Sequence, residues 1–324
     1  MRRTLLLFAA VILLGSLAYF ASLDPTETEV ADERAFGYPE LEDIERIYIA
    51  DREGNVADLR RGGPTGWTYG AYPANENVMK NLLQAVAQLE VRSLPASTAV
   101  PNLVRNLAGG GILVRVYDGE GNKLRGYYIG GGTSGELGAA AIMEGSDNPY
   151  VVHLPMWSGN VRHRFNLRGD EWRSKVLFDV DPQAVEYLSI DYPLQQSKAF
   201  RMERTRENQF RVTPLVASVG GVKEIPFGVA EGILSRYEDY YVSRYQNEDT
   251  VGMLTARERL PFAIVRIKEA GKPEQVASIY PQYRFPGSPQ QQLQAYTAFV
   301  NDDQDWALLA TETTQPLLVG YDSF

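Results

Sequence analysis

The segment from Val161 to Lys175, VRHRFNLRGDEWRSK, sets Arg162, Arg164, Arg168, Arg173 and Lys175 close together in a chain whose formal net charge is −9. Such a cluster can bind an anionic head group or an acidic partner, because arginine presents a planar fork of donors to carboxylate or phosphate. The competing reading is a charged connection between two domains, held by its own ion pairs. A second candidate is RYEDYYVSRY, from Arg236 to Tyr245. Tyrosine and arginine are favoured at interfaces, where they bury area and still hydrogen-bond. Tyr237 and Tyr240 fall on core positions of a helical pattern, which leaves Tyr241 and Tyr245 as the candidates for contact with a partner.

Other chemistry is poorly represented. There are no cysteines, which removes thiol catalysis, thiolate metal sites and disulfides together. The two histidines, His153 and His163, show no ligand spacing, so no metal site is expected. Gly130 to Gly135 formally matches G-x-G-x-x-G, yet a second strand pattern follows where a dinucleotide site needs a helix N-terminus facing the pyrophosphate. The P-loop pattern and the G-x-S-x-G elbow do not occur, and Ser134 and Ser158 have no base beside them. Carboxylate pairs at Glu42-Asp43, Asp170-Glu171, Glu238-Asp239 and Asp302-Asp303 lie at turns or exposed helix faces, where charge is solvated. No catalytic residue and no cofactor is expected. The negative net charge argues against nucleic acid as a partner, since a phosphate backbone is bound by clustered cations.

The elements that would position these groups read as α+β. Ile44 to Ala50 alternates as a strand, Val56 to Arg61 returns, and Trp67 to Tyr69 makes a third. A helix follows, capped by Asn75 and running over Val78 to Val91, with Val78, Met79, Leu82, Leu83, Val86 and Leu89 on one face. A loop with a short helix around Asn102 to Leu107 leads to strands at Ile112 to Tyr117 and Leu124 to Ile129. A further hairpin joins Ala139 to Glu144 with Tyr150 to Leu154.

The second half repeats this order. Phe36, Ile47, Ile49 and Trp67 align with Phe178, Leu188, Ile190 and Phe210. Val78, Leu82, Leu83, Val86 and Leu89 align with Val229, Ile233, Leu234, Tyr237 and Tyr240. Arg115 falls on Arg266, Tyr128 near Tyr280, Ile142-Met143 near Phe299-Val300, and Tyr150-Val151-Val152 near Trp306-Ala307-Leu308. The expected product is two similar antiparallel-sheet modules with a packed helix each, at residues 36–175 and 176–324.

The first 23 residues differ from the rest. Arg2 and Arg3 precede an uncharged run of twenty residues, Thr4 to Leu23, which as a helix covers about 30 Å. Acidic residues follow at once, in a linker spanning residues 24–35. The charge asymmetry predicts a single-pass inner-membrane anchor with its N-terminus in the cytoplasm and the body outside. A cleaved signal peptide, with Leu5 to Leu14 as its apolar core, is the alternative.

A tryptophan before YPAN-x-x-x-V-x-x-LL (Trp67, Tyr72 to Asn75, Val78, Leu82-Leu83), then YYIGG (Tyr127 to Gly131), NPYVVHLP (Asn148 to Pro155) and DEWR-x-K-x-x-F (Asp170 to Phe178) form a set. Together they resemble the bacterial family catalogued as domain of unknown function 4340, over nearly everything after the anchor. The resemblance implies an anchored envelope protein, of a kind associated with auxiliary membrane components of ABC-type and gliding-linked export systems. It carries over no catalytic residues. The expected role is a non-enzymatic accessory or scaffold subunit of an inner-membrane complex. The alternatives are an extracytoplasmic module binding a glycan, peptide or lipid head group between the two repeats, and a carboxylate-dependent envelope hydrolase.

Overall fold

The computed structural model describes residues 33–133, 138–206 and 209–324. The described chain is α+β, mostly antiparallel sheet with few helices. It divides into two units, one ending at Ser174 and the other starting at Lys175. The expected span at residues 4–23 lies outside the described residues, and no helix among those described is long and apolar enough to cross a membrane.

The first unit is a nine-stranded sheet. Its first four strands are β1 (Arg46–Ala50), β2 (Val56–Arg61), β3 (Trp67–Tyr69) and β4 (Tyr72–Pro73). Helix α1 (Glu76–Gln88) follows, then β5 (Glu90–Ser93) and helix α2 (Val100–Gly110). The last four are β6 (Ile112–Tyr117), β7 (Lys123–Gly132), β8 (Ala139–Met143) and β9 (Pro149–His153), and the spatial order is β4-β3-β2-β1-β6-β7-β8-β9-β5. Alternation along the strands places Ile47, Ile49, Val114, Val116, Tyr127 and Ile129 on one face, all buried. Onto that face α1 lays Met79, Leu82, Ala85 and Val86. Asn75 caps it, its side-chain oxygen accepting from the N–H groups of Asn77 and Val78 at 3.1 and 3.2 Å. The sequence pattern runs this helix to Val91, but it stops at Gln88 because Leu89 turns extended (φ −67°, ψ 117°). The chain can then pair Val91 with Val152 at the far edge of the sheet.

The second unit has the same layout. Its strands are β10 (Val176–Phe178), β11 (Val185–Asp191), β12 (Phe200–Arg206), β13 (Gln209–Pro214) and β14 (Lys223–Pro226). Helix α3 (Phe227–Leu234), β15 (Tyr240–Tyr241), β16 (Arg244–Tyr245) and helix α4 (Thr250–Arg257) follow. The unit ends with β17 (Ala263–Glu269), β18 (Gln275–Arg284), β19 (Gln292–Val300) and β20 (Asp305–Leu309). The order β14-β13-β12-β11-β17-β18-β19-β20-β16 is that of the first sheet, element for element, while β10 and β15 pair separately.

Register tests the alignment residue by residue. Ile47 and Ile49 face Val116 and Val114, as Leu188 and Ile190 face Ile267 and Val265, so the first half of the alignment holds. Arg115 opposite Tyr48 likewise matches Arg266 opposite Ser189. Later it slips. Val114 faces Tyr127 and Val265 faces Ala277, so Tyr128 corresponds to Ser278, and Tyr280 to Gly130. Ala141 faces Tyr150 and Ala298 faces Ala307, so Trp306 corresponds to Pro149. The cause is hairpin length: the β6–β7 turn contains a bulge between Val116 and Tyr117, so Val116 to Arg125 is one residue longer than Ile267 to Gln275, while Ile142 still corresponds to Phe299.

Candidate functional site

The arginine-rich segment closes the first unit. After β9 it drops Val161, Phe165 and Trp172 into the core, and the arginines between them bond to the unit's own atoms. Arg162 donates from Nη1 to the Ile129 carbonyl and from Nη2 to that of Gly110, both at 2.9 Å. Gly110 ends α2, so the cation meets the negative end of that helix. Burial holds the Arg162 pKa below its ordinary value. Arg164 donates to the backbone and side-chain oxygens of Asn81 and to Gln84 Oε1, and lies 5.0 Å from the Trp157 ring. Arg168 pairs with Glu53 at 2.8 Å and Asp51 at 3.6 Å. Arg173, 3% exposed, lies 3.5 Å from the centre of the Tyr72 ring. These contacts tie the segment to the first unit, and where ion pairs are expected most of them go to carbonyls and rings instead of carboxylates.

The two tyrosine candidates part company. Tyr245 is 7% exposed and belongs to the core of the second unit, its strand paired at Ala307. Tyr241 is 49% exposed, with its hydroxyl donating to Asp239 at 3.2 Å. Tyr237 and Tyr240 are buried, as their alignment with Val86 and Leu89 predicts. His153 lies on β9 with Nε2 3.0 Å from Glu90, and His163 is exposed. Among the described residues no three His, Asp or Glu side chains gather where a metal could be held. The glycine run ends β7, and β8 pairs back against it, which is hairpin geometry; residues 134–137 of that loop lie outside the described residues.

A charge cluster on the first sheet was not foreseen as a unit. Glu144 follows β8 and accepts from Arg115 Nε at 3.1 and 3.2 Å, from Arg115 Nη2, and from Lys123 at 2.8 Å. It borders an open groove of about 530 Å³ that Glu33, Arg125 and Ser146 also line. The Arg115 hydrogen bond, with Lys123 beside it, holds the Glu144 carboxyl below the usual carboxylate range against the opposing effect of burial. Its folded pKa being lowered, its contribution is complete above the unfolded value of about 4.3 and is lost as pH falls through the folded one. Thermal unfolding scanned from about pH 6 to about pH 3 is therefore expected to show a smaller drop in Glu144→Gln than in the unsubstituted chain. Parallel curves would show that this carboxylate does not couple to folding.

An apolar surface lies on α4 of the second unit. Asp249 caps the helix, accepting from the Gly252 N–H at 2.9 Å, and a Cβ at Gly252 would come within 2.1 Å of that carboxylate, so a larger residue there would displace the cap. Met253 and Ala256 turn inward onto Phe299 and Trp306. Val251 and Leu254, one turn apart, are 74% and 64% exposed. Leu260, just past the helix, is 62% exposed. The helix thus carries apolar residues on both faces, a pattern that the sequence reading passed over because no single stripe stands out. No family model matches the chain, and no curated protein or solved structure matches it either, so the family resemblance stands on the quoted motifs alone.

Proposed function

We propose that this chain is a non-enzymatic accessory or scaffold subunit, anchored in the bacterial inner membrane through residues 4–23, whose two sheet units lie outside the membrane and dock onto other subunits of a transporter-associated assembly. The observation that carries the reading is the outward face of α4, where Val251 and Leu254 stand in water although the opposite face already supplies the packing. Exposed apolar residues gathered on one element mark contact surfaces, and burying each such side chain stabilises a complex by about 1.5–3 kcal/mol. The arginine segment supports the same reading indirectly. Its guanidinium groups hold the first unit closed, which suits a rigid framework for docking. The anchor pattern and the family resemblance supply the location.

The test is affinity purification through a C-terminal tag from solubilised membranes, comparing the unsubstituted chain with a Val251→Glu, Leu254→Glu variant. A defined set of membrane proteins is expected with the former in fixed ratio, and is expected to be lost with the latter while its circular dichroism and melting are kept. A chain that purifies alone, or companions that stay on the variant, would sink the reading.

A further inference from the structure

The repeated topology offers an internal control on the reverse face of each sheet, where the second helix of each unit sits. In the second unit that space is filled. Tyr280, Phe299 and Trp306 stack there, with ring centres 4.6 Å apart for Phe299–Trp306 and 5.9 Å for each pair that includes Tyr280, beneath Met253 and Ala256 of α4. The matching positions of the first unit, fixed by the strand registers, are Gly130, Ile142 and Pro149. Each is smaller than its counterpart. Leu107 of α2 covers Gly130, where a Cβ would lie 2.9 Å from Leu107 Cδ2, and Tyr128 stands where the second unit has Ser278. Of the three positions, Ile142 borders an open pocket of about 230 Å³, which Val104, Leu107, Ala108, Tyr128 and Met143 also line.

The mouth of the pocket carries Arg52, from the turn between β1 and β2. The carboxylates on either side of it in sequence are engaged elsewhere: Asp51 accepts from Asn55, and Glu53 pairs with Arg168. Arg52 has no hydrogen-bond, ion-pair or ring partner among the described residues.

We infer that the first unit binds a small amphipathic carboxylate here, its aryl or short alkyl body seated beside Ile142, where the second unit has Phe299, and its head group on the Arg52 guanidinium. Size agrees, since a closed apolar cavity of about 150 Å³ takes up benzene, and this pocket has room for a ring with a short side chain. A forked guanidinium fits a planar carboxylate. This site lies within one unit and does not depend on the docking role.

The test uses the whole purified chain and 3-phenylpropionate as probe, with 3-phenylpropionamide and acetate as controls, read by ligand-observed NMR titration. Saturable binding of the acid is expected, at least about tenfold tighter than the amide, with none for acetate. Arg52→Gln is expected to erase the difference between acid and amide. Ile142→Phe installs the residue that the second unit has, and is expected to abolish binding without lowering the melting temperature. The inference is overturned if the acid does not saturate, if acid and amide bind alike, or if Arg52→Gln and Ile142→Phe both bind as the unsubstituted chain does. Arg52 is exposed in a turn, so its variant keeps the test valid even if Ile142→Phe misfolds.

Discussion

Trp172→Ala is expected to lower the stability of the first unit by about 3–5 kcal/mol, the range for deleting a buried aromatic side chain. The residue is 1% exposed, and its indole N–H donates to the Leu167 carbonyl at 2.9 Å. Removing the ring therefore opens a cavity and takes away the donor to that carbonyl. The backbone of Trp172 also accepts from the N–H of Asn75, the residue that caps α1. That bond survives in alanine, so the loss measures the packing of the ring and its indole hydrogen bond. Trp172→Phe is expected to recover about half of it, because the aromatic volume returns without the N–H. Chemical denaturation gives the magnitude, and hydrogen exchange at the amides of α1 gives the location. If Trp172→Ala unfolded within about 0.5 kcal/mol of the unsubstituted chain, the closing segment would not be part of the core.

How much of this was legible in the sequence depends on the range of the interaction. The Asn75 cap, the inward face of α1 and the hairpin pairing of Ile47 and Ile49 with Leu59 and Ala57 are local or period-two features, and they stand where the pattern puts them. The sequence pattern places the first half of the edge strand β5 in the helix that ends at Val91 and its last residue in a loop. Nothing in Glu90 to Ser93 alternates cleanly, and its partner β9 lies far along the chain, so only the closed sheet explains it. The same holds for the arginines. Composition marks Arg162, Arg164, Arg168 and Arg173 as a cluster able to take an anion, but their partners Gly110, Asn81, Glu53 and Tyr72 come from distant parts of the unit. Tyr245 gave no sign of burial because β16 is two residues long, too short for a period to show. The exchange of Phe299 for Ile142 shows in the sequence alignment, but Arg52 lies far from Ile142 along the chain, and only the folded sheet brings the two to one pocket.

The second large effect is expected at Arg61 and Arg204, which sequence reading did not single out. Arg61, at the end of β2, donates from Nε to the Ile44 carbonyl at 2.8 Å and from Nη2 to that of Leu41 at 2.6 Å, while lying 5.2 Å from the Trp67 ring. Arg204 on β12 donates from Nε to Val185 at 2.8 Å and from Nη2 to Pro182 at 2.6 Å, and lies 4.6 Å from the Phe210 ring. Since Ile47 matches Leu188, Ile44 and Leu41 match Val185 and Pro182, and each unit ties the chain leading into its first long strand by the same fork. Hydrogen bonds from a charged donor contribute about 1.5–3 kcal/mol each, and part of that is returned because the arginine is not wholly buried. Alanine at either position is therefore expected to cost about 3 kcal/mol. Lysine should recover less than half, because one ammonium cannot span two carbonyls in the plane of a guanidinium. The four variants Arg61→Ala, Arg61→Lys, Arg204→Ala and Arg204→Lys would be compared by denaturant unfolding. Equal losses at the two alanines with poor rescue by lysine would make the fork a shared structural requirement of both units. Near-complete rescue by lysine would reduce it to a surface charge, and the agreement of the two geometries would then carry no energetic meaning.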